Sequence, residues 1–89
     1  MDSNEKKKIK QYLSALLWYV QRRVEGGRGV VVSVRTRDIC GVDRRCCMAV
    51  YSIMTRLVEK GLARRIKRGT YLIERSVAEE VLTVLRQWI

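Results

Sequence analysis

Apolar residues in this 89-residue chain follow two patterns, a helical spacing and short strand-like runs, and glycines separate the segments. These patterns restrict the folds that the chain can adopt. Residues 5–24 place apolar side chains every three or four positions, which predicts an amphipathic helix ending at a glycine pair. Residues 30–35, VVVSVR, form a β-branched run that is too short for a helix and predicts a strand. Residues 36–40, TRDIC, predict a short helix that a following glycine ends.

The next part of the chain predicts a longer helix and a tight hairpin. Residues 43–60 carry one apolar stripe, with Cys46 and Ile53 on its flanks; the stripe consists of Cys47, Val50, Met54, Leu57 and Val58. An aspartate is able to cap the start of this helix, and a glycine lies just past its end. Residues 62–67 and 70–74 read as two short strands joined by Arg68-Gly69, because glycine suits the positive φ of a hairpin turn.

The chain closes with one more amphipathic segment. Residues 76–88 predict a last helix, and Ser76 with Glu79 have the spacing of a capping box. The predicted order is therefore helix, strand, helix, helix, strand, strand, helix. The length of the chain fits a single domain over residues 1–89. The order of elements predicts a fold of the α+β class.

The charge of the chain favours a polyanionic partner. The net charge is +10, with 19 Lys and Arg against 9 Asp and Glu. Residues 28–75 hold most of the excess, with 12 basic and 4 acidic residues. The alternative is a surface rich in ion pairs, as in proteins of thermophiles, but ion-pair networks need positive and negative side chains in comparable numbers. A patch of one sign favours nucleic acid over other partners.

Neither a membrane span nor a secretory signal is expected from the sequence. No stretch approaches the roughly 20 apolar residues of a transmembrane helix, and the basic N-terminus lacks an apolar segment directly behind it. We therefore expect a cytoplasmic, nucleoid-associated protein without a membrane partner.

Residues 36–73, TRDICGVDRRCCMAVYSIMTRLVEKGLARRIKRGTYLI, resemble the winged helix-turn-helix family of DNA-binding domains. The likeness lies in a short helix, a tight turn at Gly41-Val42-Asp43, a second helix, the run LVEKGL and a basic hairpin. It implies a helix-turn-helix over residues 36–60 and a wing over residues 62–74. In that family the second helix enters the major groove and the hairpin touches the DNA backbone. The chain is similar to small basic winged-helix proteins of archaea and their viruses. Its high Arg content and only three Gln are typical of a thermophile, so we expect an archaeal, thermophilic source.

The resemblance implies a set of DNA-binding residues. Arginine can bind guanine through two hydrogen bonds or hold a phosphate, and a charge kept for solubility is the alternative. The basic run Lys6–Lys10 is either a further phosphate contact or a solvated helix start. The candidates in the second helix and then in the wing are Arg44, Arg45, Met48, Ala49, Tyr51, Ser52, Arg56, Arg64, Arg65, Lys67 and Arg68.

The cysteines predict neither a metal site nor an enzyme. The chain has three cysteines and no histidine, whereas a structural zinc site needs about four ligands. Our leading interpretation is that Cys40, Cys46 and Cys47 are small buried side chains where two helices cross, and a disulfide from Cys40 to either of the others is the alternative. Without histidine or a recognisable nucleophile–base motif, we expect no catalysis, no cofactor and no small-molecule substrate.

Aromatic residues in the first and last helices predict a homodimer. Trp18, Tyr19, Trp88 and Ile89 make the first and last helices more apolar than one small recognition unit needs, and helix-turn-helix proteins commonly bind as two-fold dimers. The alternative is that both helices close the core of a single monomer. The function expected is double-stranded DNA binding by a transcription regulator. The alternatives are a non-specific chromatin-type protein that coats DNA, and a winged-helix module that binds RNA or protein.

Overall fold

The computed structural model describes the backbone of residues 3–89 and the side chains of residues 9–89. Within this part of the chain, four α-helices, one 3-10 turn and three strands follow the predicted order, so the α+β class is confirmed. The elements are α1 (Ser3–Gly26), β1 (Val31–Arg35), α2 (Thr36–Cys40), α3 (Arg44–Glu59), β2 (Arg64–Lys67), β3 (Thr70–Glu74), the 3-10 turn Arg75–Val77 and α4 (Ala78–Trp88).

The three strands form one antiparallel sheet with β3 in the centre, in the order β1–β3–β2. Val32 lies opposite Ile73 and Val34 lies opposite Tyr71. All four side chains are buried, so this face of the sheet rests on the core. Gly69 turns the chain from β2 into β3 with φ +78°, a conformation that glycine adopts without a steric penalty.

The core lies between this sheet face and one stripe from each of the three long helices. The stripe of α1 buries Leu16 and Val20 completely, and that of α4 buries Val81 and Leu85 completely. Apolar burial of this kind is the main stabilising contribution to a small domain, at about 25 cal/mol per Å².

The buried stripe of α3 is rotated from the predicted one. Cys46 and Ile53, which we placed on its flanks, are buried in the core. Cys47, which we placed in the stripe, is only half-buried. Val50, Met54 and Leu57 are buried as predicted; the full set of buried side chains in this helix is Cys46, Val50, Ile53, Met54 and Leu57.

The end of α3 directs the chain into the hairpin. The Leu62 N–H donates to the Leu57 C=O at 2.9 Å, and the Gly61 N–H donates to the Val58 C=O at 3.0 Å. These two bonds, with Gly61 at φ +75°, form a Schellman motif. Leu62 is buried beside the end of the helix, which anchors the base of the hairpin.

The last helix begins differently from the prediction. The chain leaves β3 through the 3-10 turn, so Ser76 lies inside that turn and not at an N-cap. Val77 takes the N-cap position of α4, and its side chain makes no capping hydrogen bond. The predicted capping box of Ser76 and Glu79 is therefore wrong.

A disulfide joins α2 to the first turn of α3. It links Cys40 to Cys46, whose Cα atoms are 5.4 Å apart, and leaves Cys47 as a free thiol. Our leading interpretation of the cysteines as unbonded core residues is wrong for this pair, although Cys46 is indeed buried. Asp43 caps α3 as predicted, because its side chain accepts a hydrogen bond from the Cys46 N–H at 3.2 Å.

Candidate nucleic-acid interface

A cleft of about 620 Å³, which we call the wing cleft, separates α3 from the hairpin. The start of α2 closes one end, because the Thr36 N–H donates to the C=O of Gly69 in the hairpin turn at 2.9 Å. No acidic side chain of the described residues lines the cleft. Its principal side chains are Arg37, Met48, Tyr51, Arg65, Arg68 and Tyr71.

The register of the hairpin decides which basic side chains face this cleft. Arg65 lies opposite Tyr71 on the core-facing side of the sheet, and its guanidinium is 5.7 Å from the centre of the Tyr51 ring. This cation–π contact brings the hairpin and α3 together. Arg64 lies opposite Leu72 and Lys67 lies opposite Thr70, on the other face. The four basic wing residues therefore do not act as one patch.

A buried hydroxyl lies at the floor of the cleft. Tyr71 is 1% exposed, and its hydroxyl has no hydrogen-bond partner among the described residues. Burial raises the pKa of Tyr71 above its ordinary value, and the nearby charge of Arg65 partly opposes this effect. The phenol thus stays neutral near pH 7 and keeps an unused donor beside the guanidinium groups.

The outward face of α3 carries the other candidates and divides them into three groups. Arg44 and Arg45 are exposed in the first turn, which contains no acidic residue. Met48 is 70% exposed and Tyr51 is 48% exposed, and both turn towards the wing cleft. Ala49, Ser52 and Arg56 line a different surface on the other flank.

That other surface is an apolar groove of about 370 Å³ between α3, the start of α1 and the end of α4. Ile9 and Trp88 line it beside Ala49 and Ser52. The Arg56 guanidinium lies 5.8 Å from the centre of the Trp88 ring, so this arginine packs against α4. Ala49 and Arg56 thus face away from the wing, which the apolar pattern alone did not reveal.

The structure adds Arg37 and Tyr71 to the candidates. Arg37 is exposed on α2 and reaches the wing cleft because Thr36 is bonded to the hairpin turn. This contact joins residues far apart in the sequence, so no local pattern could predict it. Tyr71 lies between two half-buried positions of β3, and this alternation is typical of a buried strand face but does not predict a hydroxyl without a partner.

The aromatic residues expected at a dimer interface lie in different environments. Trp18 is 61% exposed on the outer face of α1. Tyr19 is partly buried, and its hydroxyl donates to Asp38 Oδ2 at 3.1 Å, so it docks α1 onto α2. Ile89 is 42% exposed and Trp88 partly buried at the end of α4. The side chains of Lys6 to Lys8, part of the predicted basic run, lie outside the described residues.

Two other kinds of site are absent from the described residues. No helix there combines the length and the apolar character needed to cross a membrane. No three Cys, Asp or Glu side chains in that part of the chain lie close enough together to hold a metal ion.

Comparisons with protein-family models, with curated proteins and with solved structures find no match to this chain. The likeness to winged helices therefore depends on the element order, the hairpin and the residues described above.

Proposed function

We propose that the protein is a winged helix-turn-helix domain that binds double-stranded DNA, with α3 in the major groove and the hairpin on the backbone. One observation carries this proposal. The exposed flank of α3 and the inner side of the hairpin meet at a cleft where Arg37, Arg65 and Arg68 converge without an acidic side chain among the described residues. Such a concentration of one charge attracts the phosphates of a duplex.

Within this arrangement the candidate residues take separate roles. Arg44 and Arg45 project from the first turn of α3, where a guanidinium can bind guanine O6 and N7. The positive end of the helix dipole lies at this turn and also favours a phosphate there. Arg65 and Arg68 hold the backbone beside the wing, and Arg37 extends their contact towards α2.

The biological role that we propose is transcription regulation in the nucleoid by a homodimer. The exposed Ile9 and Ile89 lie near the groove between α1, α3 and α4, and joining two copies there would set the spacing of two half-sites. A protein that coats DNA without sequence preference, and a module that binds RNA or protein, are the two competing outcomes of the test.

The first experiment is selection from a random-sequence duplex pool at two salt concentrations. A motif that is enriched and persists at the higher salt would support a regulator. Unselective binding that falls steeply with salt would indicate a coating protein. Absence of binding at both salt concentrations would contradict the proposal, and the same protein would then be tested on RNA.

The hairpin offers a matched pair of variants for the proposed geometry. Arg65→Ala and Arg64→Ala remove the same charge from the same strand, but only Arg65 faces the wing cleft. We expect Arg65→Ala to reduce the slope of log K against log salt concentration by about 0.9, which corresponds to the loss of one phosphate contact. Arg64→Ala should have a smaller effect, and equal effects would mean that binding depends only on net charge.

The role of the first turn of α3 has its own test. Arg45→Ala should cost about 1–3 kcal/mol on a preferred site and less on other sequences. An equal loss on every sequence would make Arg45 a phosphate contact and not a base contact.

A further inference from the structure

A second basic cleft lies at the other end of the sheet, where the proposed DNA interface does not reach. It has a volume of about 290 Å³ and lies between the last turn of α1 and β1. No acidic residue in the described part of the chain lines it. We call it the α1–β1 cleft; its basic side chains are Arg22, Arg23, Arg28 and Arg75.

Backbone donors of β1 also face this cleft. β1 is an edge strand, since β3 is the one strand of the described residues that pairs with it. The Arg75 N–H donates to the Val30 C=O at 2.8 Å, which identifies Val30 and Arg75 as a hydrogen-bonded pair of the antiparallel ladder. Bonded and non-bonded pairs alternate along an antiparallel ladder, so the backbone groups of residues 32 and 34 bond to β3. The N–H groups of Val31 and Ser33 therefore point outwards. Both residues line the cleft, so two backbone donors accompany the arginines.

Arg75 forms the fixed base of the cleft. Its guanidinium donates to the Val24 C=O at 2.6 Å and to the Gly29 C=O at 2.7 Å. Both acceptors are neutral, so the charge of Arg75 is not offset by a carboxylate. Gly27 lies against this group, because a Cβ there would be 2.8 Å from the Arg75 Nη2 atom. The arginine is therefore ordered before any ligand arrives.

The arginines at the rim are also oriented. The Arg22 guanidinium lies 4.8 Å from the centre of the Trp18 ring, and that of Arg23 lies 5.9 Å from the Tyr19 ring. Neutral rings hold both groups in place without cancelling their charge. The acidic side chain of this turn, Glu25, is bonded to Gln21 at 3.4 Å and does not line the cleft.

Two features of this cleft oppose an anion. The C=O groups of Val31 and Ser33 point outwards together with their N–H groups, because both groups of a non-bonded residue lie on the same edge of an antiparallel strand. The other feature is the carbonyl end of α1. The last carbonyls of a helix carry partial negative charge. Here the bond from Arg75 to the Val24 C=O satisfies one of them with a cationic group. The balance of full charges in the cleft is positive, since four arginines line it and no acidic side chain among the described residues does.

We propose that the α1–β1 cleft binds phosphate groups of a second nucleic-acid segment, so that one molecule bridges two segments. Arg22, Arg23 and Arg28 are exposed, which suits an extended polyanion touching several of them better than a small enclosed ligand. The cleft touches Val31 at the start of β1, whereas the wing cleft touches Thr36 just past its end. The nearest lining residues of the two clefts, Ser33 and Thr36, are three residues or about 10 Å apart along the strand, and the two clefts share no lining residue, so the two sites are distinct. Bridging rests on the proposed function for the first segment.

A bridging assay tests the proposal with the whole chain. One duplex is immobilised, the protein is added, and retention of a second, fluorescent duplex is measured. Arg28→Ala should reduce this retention roughly tenfold, because it removes about one charged hydrogen bond to a phosphate. The matched control is Arg86→Ala, which removes the same charge from an exposed position on α4. Binding to the first duplex should be similar in the two variants.

Two outcomes would overturn bridging. The first is no retention of the second duplex although the first is bound. The second is an equal effect of Arg28→Ala and Arg86→Ala, which would assign retention to net charge or to a dimer joined elsewhere.

A titration with inorganic phosphate separates this proposal from the proposed function. Backbone amide resonances of Val31 and Ser33 should shift in NMR spectra of the wild type and much less in Arg28→Ala. If the protein bound no duplex at all, the proposed function and bridging would both fail, but these shifts would still establish a phosphate site. Shifts confined to residues of the wing cleft would refute the second site.

Discussion

The disulfide between Cys40 and Cys46 should contribute a measurable part of the stability of the segment that contains α2 and α3. The bond closes a loop with a sequence separation of 6. Loop-closure entropy for so short a loop corresponds to about 2 kcal/mol at 25 °C. For a domain of this size, losing about 2 kcal/mol when the disulfide is reduced would lower the melting temperature by roughly 10–15 °C.

The position of α2 makes the bond important for the proposed site as well. This helix has only 5 residues, and its one buried side chain is Thr36. Few apolar contacts therefore hold α2, and the bond from Cys40 to Cys46 fixes its far end on α3. Reduction should thus loosen the wing cleft, which Thr36 and Arg37 close at one end.

The assay is denaturant unfolding of the wild type with and without reductant, beside the variants Cys40→Ser and Cys47→Ser. We expect Cys40→Ser to match the reduced wild type and Cys47→Ser, which lacks only the free thiol, to keep the effect of reductant. Alkylation and mass spectrometry should count one free thiol before reduction and three after it. An unchanged unfolding transition after complete reduction would refute the argument.

Three further predictions follow from single residues or surfaces. Tyr71→Phe should leave stability unchanged or raise it by about 1 kcal/mol at pH 7, because the lost hydroxyl has no partner among the described residues. Since burial raises the Tyr71 pKa, wild-type stability should fall as pH rises above 10.0, and the variant should lose less in alkaline unfolding titrations. Gly27→Ala should destabilise the domain by about 1–3 kcal/mol in the same denaturant assay, since its Cβ would be 2.7 Å from the Arg23 carbonyl oxygen. Sedimentation at micromolar concentration should give a dimer mass that Ile89→Lys reduces to that of a monomer, whereas a monomeric wild type would refute the interface.

The order of elements could be predicted because each depends on neighbouring residues. Gly61 and Gly69 occupy positive-φ positions that end α3 and turn the hairpin, as their places in the sequence indicate. Asp43 caps α3 for the same local reason. The start of α4 was missed because β3 continues directly into a 3-10 turn, which displaces Ser76 from the capping position.

The site could be predicted only in part because it depends on contacts between distant segments. Basic composition pointed to the hairpin, but the register places Arg64 and Arg65 on opposite faces. The choice between an unbonded Cys40 and a disulfide depended on the separation of two Cα atoms, which spacing alone does not give. The role of Arg75 was likewise hidden, since its acceptors lie 46 and 51 residues earlier in the chain.

If the protein binds DNA as proposed, the surface left free on α3 would limit how it discriminates between DNA sequences. One flank is turned to the wing cleft and the other packs Arg56 against Trp88. On the wing-cleft flank Met48 offers no donor, and the Thr55 hydroxyl already donates to the Tyr51 C=O at 2.8 Å. Long donors to base edges are thus concentrated in the first turn, at Arg44 and Arg45. Since each arginine reads about one guanine, direct base contacts from α3 can specify only a few base pairs. Most of the affinity should then come from phosphate contacts, which makes the salt dependence of binding the observation that best separates a regulator from a coating protein.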